Sequence, residues 1–369
     1  MLVWVILLIV WSALLSGLMI VVAKRGNWGA DEAEGVQKVH RHWVPRLGGI
    51  PVFIAFVSGC LLWTHLGYLG QYSALSLVLC TLPVFVVGLI EDISRKAGIV
   101  LRLMVAMLGA ALGWLFLDGQ IRRLDIPYVD DLLFHSAIAS FAVTTIAVAG
   151  VAHAVNIIDG YNGLCGFFGL LAFGAIAAVA ALHGDQPLAQ AALIAGLSVT
   201  GFLYWNYPMG RLFLGDAGAY FIGFLIAELC VLLVQRNADI SPWCALLIVI
   251  YPVWETLFSM FRRAVSGGLR QMSRADALHL HHLVFRRLVK RDQHDANHRA
   301  RIMRNAMTTP YLLVLVLLST APAVLFSDSA TILFGFCLLF IVSYGFCYWA
   351  IIRLRVPRFM VVRRNPPKR

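Results

Sequence analysis

Apolar runs of about 20 residues, broken by short polar stretches, recur along the whole chain. A bilayer core about 30 Å thick takes about 20 apolar residues per helix. The pattern therefore predicts membrane-crossing helices and not elements with one wet face. The runs fall at 2–23, 48–67, 73–90, 99–117, 135–154, 164–183, 188–206, 217–235, 242–261, 310–327 and 331–352. They predict an all-α, polytopic integral membrane protein with about eleven transmembrane helices. The 135–154 run, rich in Ala, Ser and Thr, gives the faintest signal. One membrane domain is expected over 1–352, with a basic tail over 353–369 and no separate soluble domain. No internal repeat is visible, which weighs against the repeat-built transporters.

Charge gives the runs an orientation. Of the 30 Lys and Arg, all but Arg122, Arg123 and Arg236 fall in alternate connections or in the tail. Basic loops stay on the cytoplasmic side. The N-terminus is thus predicted outside and the C-terminus inside, with the longer polar connections cytoplasmic. The net charge of +11 gathers on that face, where it attracts anionic lipid or a soluble anion such as a nucleotide. A chain that is 60% hydrophobic offers little surface to nucleic acid. The first run has no basic residue before it and Lys24-Arg25 after it, a reversed signal-anchor pattern. The seven cysteines form no CxxC and sit mostly inside spans, so they read as small core residues.

Short polar words at the inner ends of the runs carry the candidate chemistry. Asn156-Ile-Ile-Asp159-Gly160-Tyr-Asn162-Gly163 places two polar side chains three apart, on one helix face. An acid at membrane depth costs roughly 2.5–3.5 kcal/mol and marks a functional site by default. The plain alternative is a helix-ending turn. Glu91-Asp92 closes the third run, and an ion pair with Arg95 or Lys96 is its ordinary explanation. Phe213-Leu-Gly-Asp216-Ala-Gly218 opens the eighth run. Asp216 there is expected to be a helix N-cap, and also suits Mg²⁺, which takes one or two carboxylates plus phosphate oxygens. His279-Leu-His281-His282, followed by Arg286-Arg287, lacks the cysteine or carboxylate partners of a closed zinc site. Imidazole and guanidinium donors together suit phosphate better. Glu255 lies inside the ninth run, where a buried Arg or His is its expected partner. Glu228 has no evident partner.

Taken in order, these words resemble the polyprenyl-phosphate N-acetylhexosamine-1-phosphate transferases. The parts are Pro45-Arg46-Leu47-Gly48-Gly49, the acidic pair at 91–92, Asn-x-x-Asp-Gly, Asn206 and Phe213 ahead of Gly215-Asp216, and His-x-His-His. The resemblance implies Asp216 as a Mg²⁺ ligand with Asp159 beside it, Mn²⁺ being an allowed substitute. It implies catalytic roles for Glu91, Asp92, Asp159, His281 and His282. Arg41, Asn156, Asn162, Asn206, Phe213, His279 and Arg286 are the implied substrate-binding residues, with Asn206 and Phe213 on the uracil ring. The partners it implies are a UDP-N-acetylhexosamine, a polyprenyl phosphate and the bacterial inner membrane, with the site on the cytoplasmic face; a homo-oligomer is allowed. Glu91 replaces the family's first Asp, and Asn162 replaces a second Asp, so a metal role at 162 is not implied. His-x-His-His and eleven spans lean towards the branch that starts O-antigen and enterobacterial common antigen. The phospho-N-acetylmuramoyl-pentapeptide transferases are the nearest alternative. An ion-coupled transporter is the rival from another class, and would place its acids near the midplane.

Overall fold

A computed structural model describes residues 2–26, 44–267, 278–289 and 298–353. Fourteen helices make up the bundle among these residues. They are α1 (Leu2–Gly26), α2 (Gly49–His65), α3 (Gln71–Ser94), α4 (Ile99–Phe116), α5 (Val129–His135), α6 (Ala137–Ile158), α7 (Leu164–Leu182), α8 (Gln186–Asn206), α9 (Gly215–Arg236), α10 (Pro242–Gly267), α11 (Leu280–Arg287), α12 (His298–Ala306), α13 (Thr308–Leu325) and α14 (Ala330–Ile352). Each of the eleven predicted runs has its helix. Ten stretches are long and apolar enough to cross a membrane. The other predicted crossing, α2, is 17 residues, about 25 Å at 1.5 Å per residue.

Two boundaries move in ways that bear on the site. The Ala-rich run continues to Ile158, so Asn156 lies in the last turn of α6 with Asp159 as its C-cap. In α9 the N-cap is Leu214 and Asp216 is the second helical residue. The expectation that Asp216 caps its own helix is therefore corrected: the cap comes from Asp92 on α3, as described below.

The core is organised around α9. It is apolar on all sides, as a helix surrounded by others must be, and it packs against α2, α3, α6, α7 and α10. Close approach depends on small residues, the usual currency of helix contact in lipid. A side chain at Gly88 of α3 would lie 2.6 Å from Ala217 Cα of α9. By contrast α1, α4 and α14 present long rows of exposed Leu, Ile, Val and Phe, the surface expected against acyl chains. Six cysteines are buried and Cys347 is half-buried, all of them free, in keeping with the core reading.

Candidate functional site

The PRLGG word and the word around Asp216 meet as backbone. Phe213 N–H donates to the Pro45 carbonyl (2.9 Å), Gly48 N–H to the Phe213 carbonyl (2.9 Å), and Gly49 N–H to the Leu214 carbonyl (2.8 Å). Gly215 follows with φ +76°, a conformation that L side chains rarely adopt, and Asp92 Oδ2 would lie 2.6 Å from any Cβ there. The turn thus delivers the first residues of α9 directly onto Asp92.

Asp92 accepts from the Asp216 N–H through Oδ1 (2.8 Å) and from the Ala217 N–H through Oδ2 (2.8 Å). First-turn N–H groups have no intrahelical partner, and a carboxylate there also complements the helix dipole. Asp92 is therefore a cap supplied from another helix, and its two oxygens fix where Asp216 sits. The structure thus ties Asp92, for which the resemblance implies a catalytic role, to the start of α9.

Asp216 is held from two further sides. Asn156 Nδ2 donates to Oδ1 (2.6 Å), and Arg102 Nη1 lies 2.9 Å from Oδ2. Arg102 is 8% exposed and its guanidinium sits 5.2 Å from the Tyr220 ring centroid. From the sequence Arg102 looked like one more inner-face cation; only the fold shows it reaching Asp216. Asp159 is the third acid of the group. Burial raises its carboxyl most, Arg46 pulls it back and the Asp216 charge adds to the rise, leaving it at about 7. Glu91, the other member of the acidic pair, has a buried Oε2 without a hydrogen-bond partner.

The histidine word docks on the same end of the bundle. Glu255, fully buried in α10, accepts from the Leu280 N–H (2.6 Å) and lies 3.1 Å from His279 Nδ1. The expected His partner is thus found, and Glu255 also caps the start of α11. Tyr161, from the turn after Asp159, has its hydroxyl 2.9 Å from His282 Nδ1 and packs edge-on against His281 and His282. His281 Nε2 lies 4.0 Å from where a Cβ on Gly160 would be. Burial, with His282 and His279 adding to it, holds the His281 imidazole well below its usual pKa. His281 is then a neutral ring at pH 7. Arg286 is on the exposed side of α11.

Two of the expected substrate-binding residues also tie loops together. Asn206 is buried; its Oδ1 accepts from the Gly163 N–H (2.6 Å) and its Nδ2 donates to the Leu212 carbonyl (2.8 Å). Asn162 is buried as well, with its N–H on Asn305 Oδ1 (2.7 Å), its carbonyl on Thr309 Oγ1 (2.7 Å) and its Nδ2 on the Pro208 carbonyl (3.0 Å). Both asparagines pin the loops that carry Asp159 and Asp216. Phe213 is half-buried beside them. Arg41 lies outside the described residues. Asn206→Ala should leave a buried N–H and a buried carbonyl unpaired, at about 1–3 kcal/mol. The expected result is a lower unfolding midpoint in detergent; an unchanged midpoint would show that the amide does not tie the two loops together.

Among the described residues no three His, Cys, Asp or Glu side chains form a ready metal cage. What the site offers is Asp216 with Asp159 close enough to feel its charge. That donor set suits a hard cation that keeps its remaining places for phosphate oxygens and water, and it does not suit a closed zinc site.

Comparison with known proteins agrees with the motif order. Residues 74–234, which carry Glu91, Asp92, Asn156, Asp159 and Asp216, match the family model described as Glycosyl transferase family 4. The chain is 25% identical over 261 residues to a probable undecaprenyl-phosphate N-acetylglucosaminyl 1-phosphate transferase of Bacillus subtilis (strain 168), covering 69% of each chain. It is 27% identical over 265 residues to the undecaprenyl-phosphate alpha-N-acetylglucosaminyl 1-phosphate transferase of Salmonella typhi. The like-named protein of Escherichia coli (strain K12) is 26% identical over 273 residues, and each of these two alignments covers 70% of both chains. With Asp92, Asn156, Asp159 and Asp216 gathered at one end of an all-helical bundle, the chain is similar over residues 74–234 to glycosyl transferase family 4, and the relatives it resembles are undecaprenyl-phosphate N-acetylglucosaminyl 1-phosphate transferases.

Proposed function

We propose that this protein transfers an N-acetylhexosamine-1-phosphate from a UDP-sugar to undecaprenyl phosphate, releasing UMP. The observation that carries the reading is the Asp216 carboxylate, held by Asn156 of α6 and Arg102 of α4 at a helix start that Asp92 of α3 caps, with Asp159 close enough to feel its charge. The names of the relatives supply the acceptor lipid and favour N-acetylglucosamine as the sugar. The lean towards the O-antigen and common-antigen branch stands as part of this proposal, as does a cytoplasmic-facing site in a bacterial inner membrane with the N-terminus outside.

In the reaction an oxygen of the lipid phosphate attacks the β-phosphorus of the UDP-sugar. The bond from that phosphorus to the bridging oxygen breaks, and the oxygen leaves on UMP. Both reactants are anions, so the site must bring like charges together and hold them in line. Asp216 and Asp159 are the residues to hold Mg²⁺, or Mn²⁺ in its place. When bound, the ion neutralises phosphate charge and aligns the two substrates. Arg102 holds the Asp216 carboxylate in place, and the Arg46 charge offsets part of the rise that burial imposes on Asp159. The neutral His281 and its neighbours offer ring N–H donors to phosphate oxygens. A phosphate monoester is largely ionised near neutral pH, so attack needs no strong general base.

The test is purified protein in detergent or nanodiscs with undecaprenyl phosphate, Mg²⁺ and a panel of UDP-N-acetylhexosamines. Stoichiometric UMP and a lipid-diphosphate-sugar are expected with one member of the panel. No UMP with any donor, together with ion flux in proteoliposomes, would favour the transporter instead.

A further inference from the structure

One histidine outside every motif above lies against the site. His153 of α6 is three residues before Asn156, about 4.5 Å further along the helix from the Asp216 contact. Its Nδ1 is 2.7 Å from the Tyr220 hydroxyl. Tyr220 is fully buried and lies under the Arg102 guanidinium. His153, Tyr220, Arg102 and Asp216 thus form a continuous chain of contacts across α6, α9 and α4.

The tautomer follows from hydrogen-bond satisfaction. Among the described residues the Tyr220 hydroxyl has His153 Nδ1 as its one side-chain partner. A buried hydroxyl gives up its proton to such a partner or leaves it unsatisfied. Tyr220 therefore donates, Nδ1 accepts, and the ring proton of the neutral imidazole sits on Nε2. That Nε2–H makes no hydrogen bond among the described residues, and the ring is half-buried. It is an oriented, unused donor. Close by, Arg102 contributes a second one: its Nε is buried without a hydrogen-bond partner.

The direction of approach comes from α6 itself. Ala142, Ile146 and Gly150 are exposed, and at helical spacing they share a face with His153. A side chain at Gly150 would meet no atom within 4 Å. His153 therefore stands at the inner end of the apolar, lipid-facing stripe of α6, on the bilayer side of Asp216. The tyrosine and histidine word occupies the other side, towards the 160–163 turn. A ligand that reaches Asp216 along the stripe must carry an apolar chain and an anionic head.

Resting on the transferase reading above, we infer that His153 Nε2–H, oriented by Tyr220 and backed by Arg102, binds the phosphate monoester of the lipid acceptor. Tyr220 is a positioning residue in this arrangement. The lipid phosphate is held on the bilayer side of the carboxylates, and the soluble diphosphate meets it from the side of the histidine word.

The test measures binding by native mass spectrometry of the full-length protein, using undecaprenyl phosphate, undecaprenol and UDP-N-acetylglucosamine. Wild type is expected to prefer the phosphorylated lipid. His153→Ala should bind undecaprenyl phosphate about tenfold more weakly, equivalent to about 1.4 kcal/mol, with undecaprenol and the nucleotide sugar unchanged. Tyr220→Phe keeps the ring under Arg102 and removes the proton given to Nδ1. It should weaken the phosphorylated lipid alone, and it carries the test if His153→Ala does not fold. Variants that keep the full preference for phosphate, or that lose nucleotide-sugar binding instead, would overturn the inference and leave the transferase reading standing. A wild-type protein that binds both lipids equally would bring down the transferase reading itself.

Discussion

Asp216→Asn is expected to lower turnover by about a thousandfold while the protein stays folded. The side chain keeps its shape, and a carboxamide oxygen can still face Arg102, 2.9 Å away in the native pair. The backbone N–H groups of residues 216 and 217 still reach Asp92, so α9 keeps its cap. What goes is a full negative charge at the point where two anions have to be brought together. Removing one preorganised electrostatic group typically costs a factor of 10²–10³, and under the proposed Mg²⁺ role the loss of a ligand adds to that. The measurement is kcat with saturating substrates, paired with thermal unfolding in detergent. Retention of more than a tenth of the activity with unchanged Mg²⁺ dependence would remove Asp216 from the centre of the site.

Asp92→Asn makes an instructive contrast. One oxygen becomes an amide nitrogen, which cannot accept from the first turn of α9. Stability should therefore fall along with activity, whereas at 216 activity falls alone.

The helices were legible because a bilayer imposes one length on every span and allows no half-wet faces. The boundaries that moved are those where composition is ambiguous. Ala, Ser and Thr fill α6, and its small buried residues face α4 and α9 where larger ones would not fit. The acids of the site were legible too, since a charge beside an apolar run needs a reason. Their division of labour was not. Whether Asp92 holds a metal or a helix N-terminus depends on a partner 124 residues away. Local sequence holds no trace of that contact except the glycine at 215, which leaves room for it.

Asn206 and Asn162 illustrate the same limit. An amide is equally suited to a ligand and to two loop backbones, and only the fold shows the backbone contacts that Asn206 and Asn162 make. Arg102, Tyr220 and His153 were missed for a simpler reason. Each sits at an ordinary place in an apolar or basic stretch, and none belongs to a polar word. Glu255 was legible in part: its depth demanded a cationic or imidazole partner, and His279 is that partner.

Glu255→Ala should be the most destabilising single change near the site. The carboxylate is fully buried, and it anchors the histidine word through the Leu280 N–H (2.6 Å) and His279 Nδ1 (3.1 Å), with His281 Nδ1 at 3.7 Å. Truncation strands these donors in the buried interior, a situation that costs about 3–5 kcal/mol when a buried charged partner is lost. The α11 segment should then leave Tyr161, and the donors on His281 and His282 should no longer face the 160–163 turn. Turnover is expected to fall at least a hundredfold and the unfolding midpoint to drop. Glu255→Gln separates the two possible causes. Its amide oxygen can still accept from Leu280, so the segment stays docked and much of the stability returns. If activity returns with it, Glu255 acts by holding the histidines. If stability returns and activity does not, its charge on His279 and His281 is itself required. Hydrogen exchange across 278–289 would report the docking directly, and unchanged protection in Glu255→Ala would show that Glu255 does not hold the segment in place.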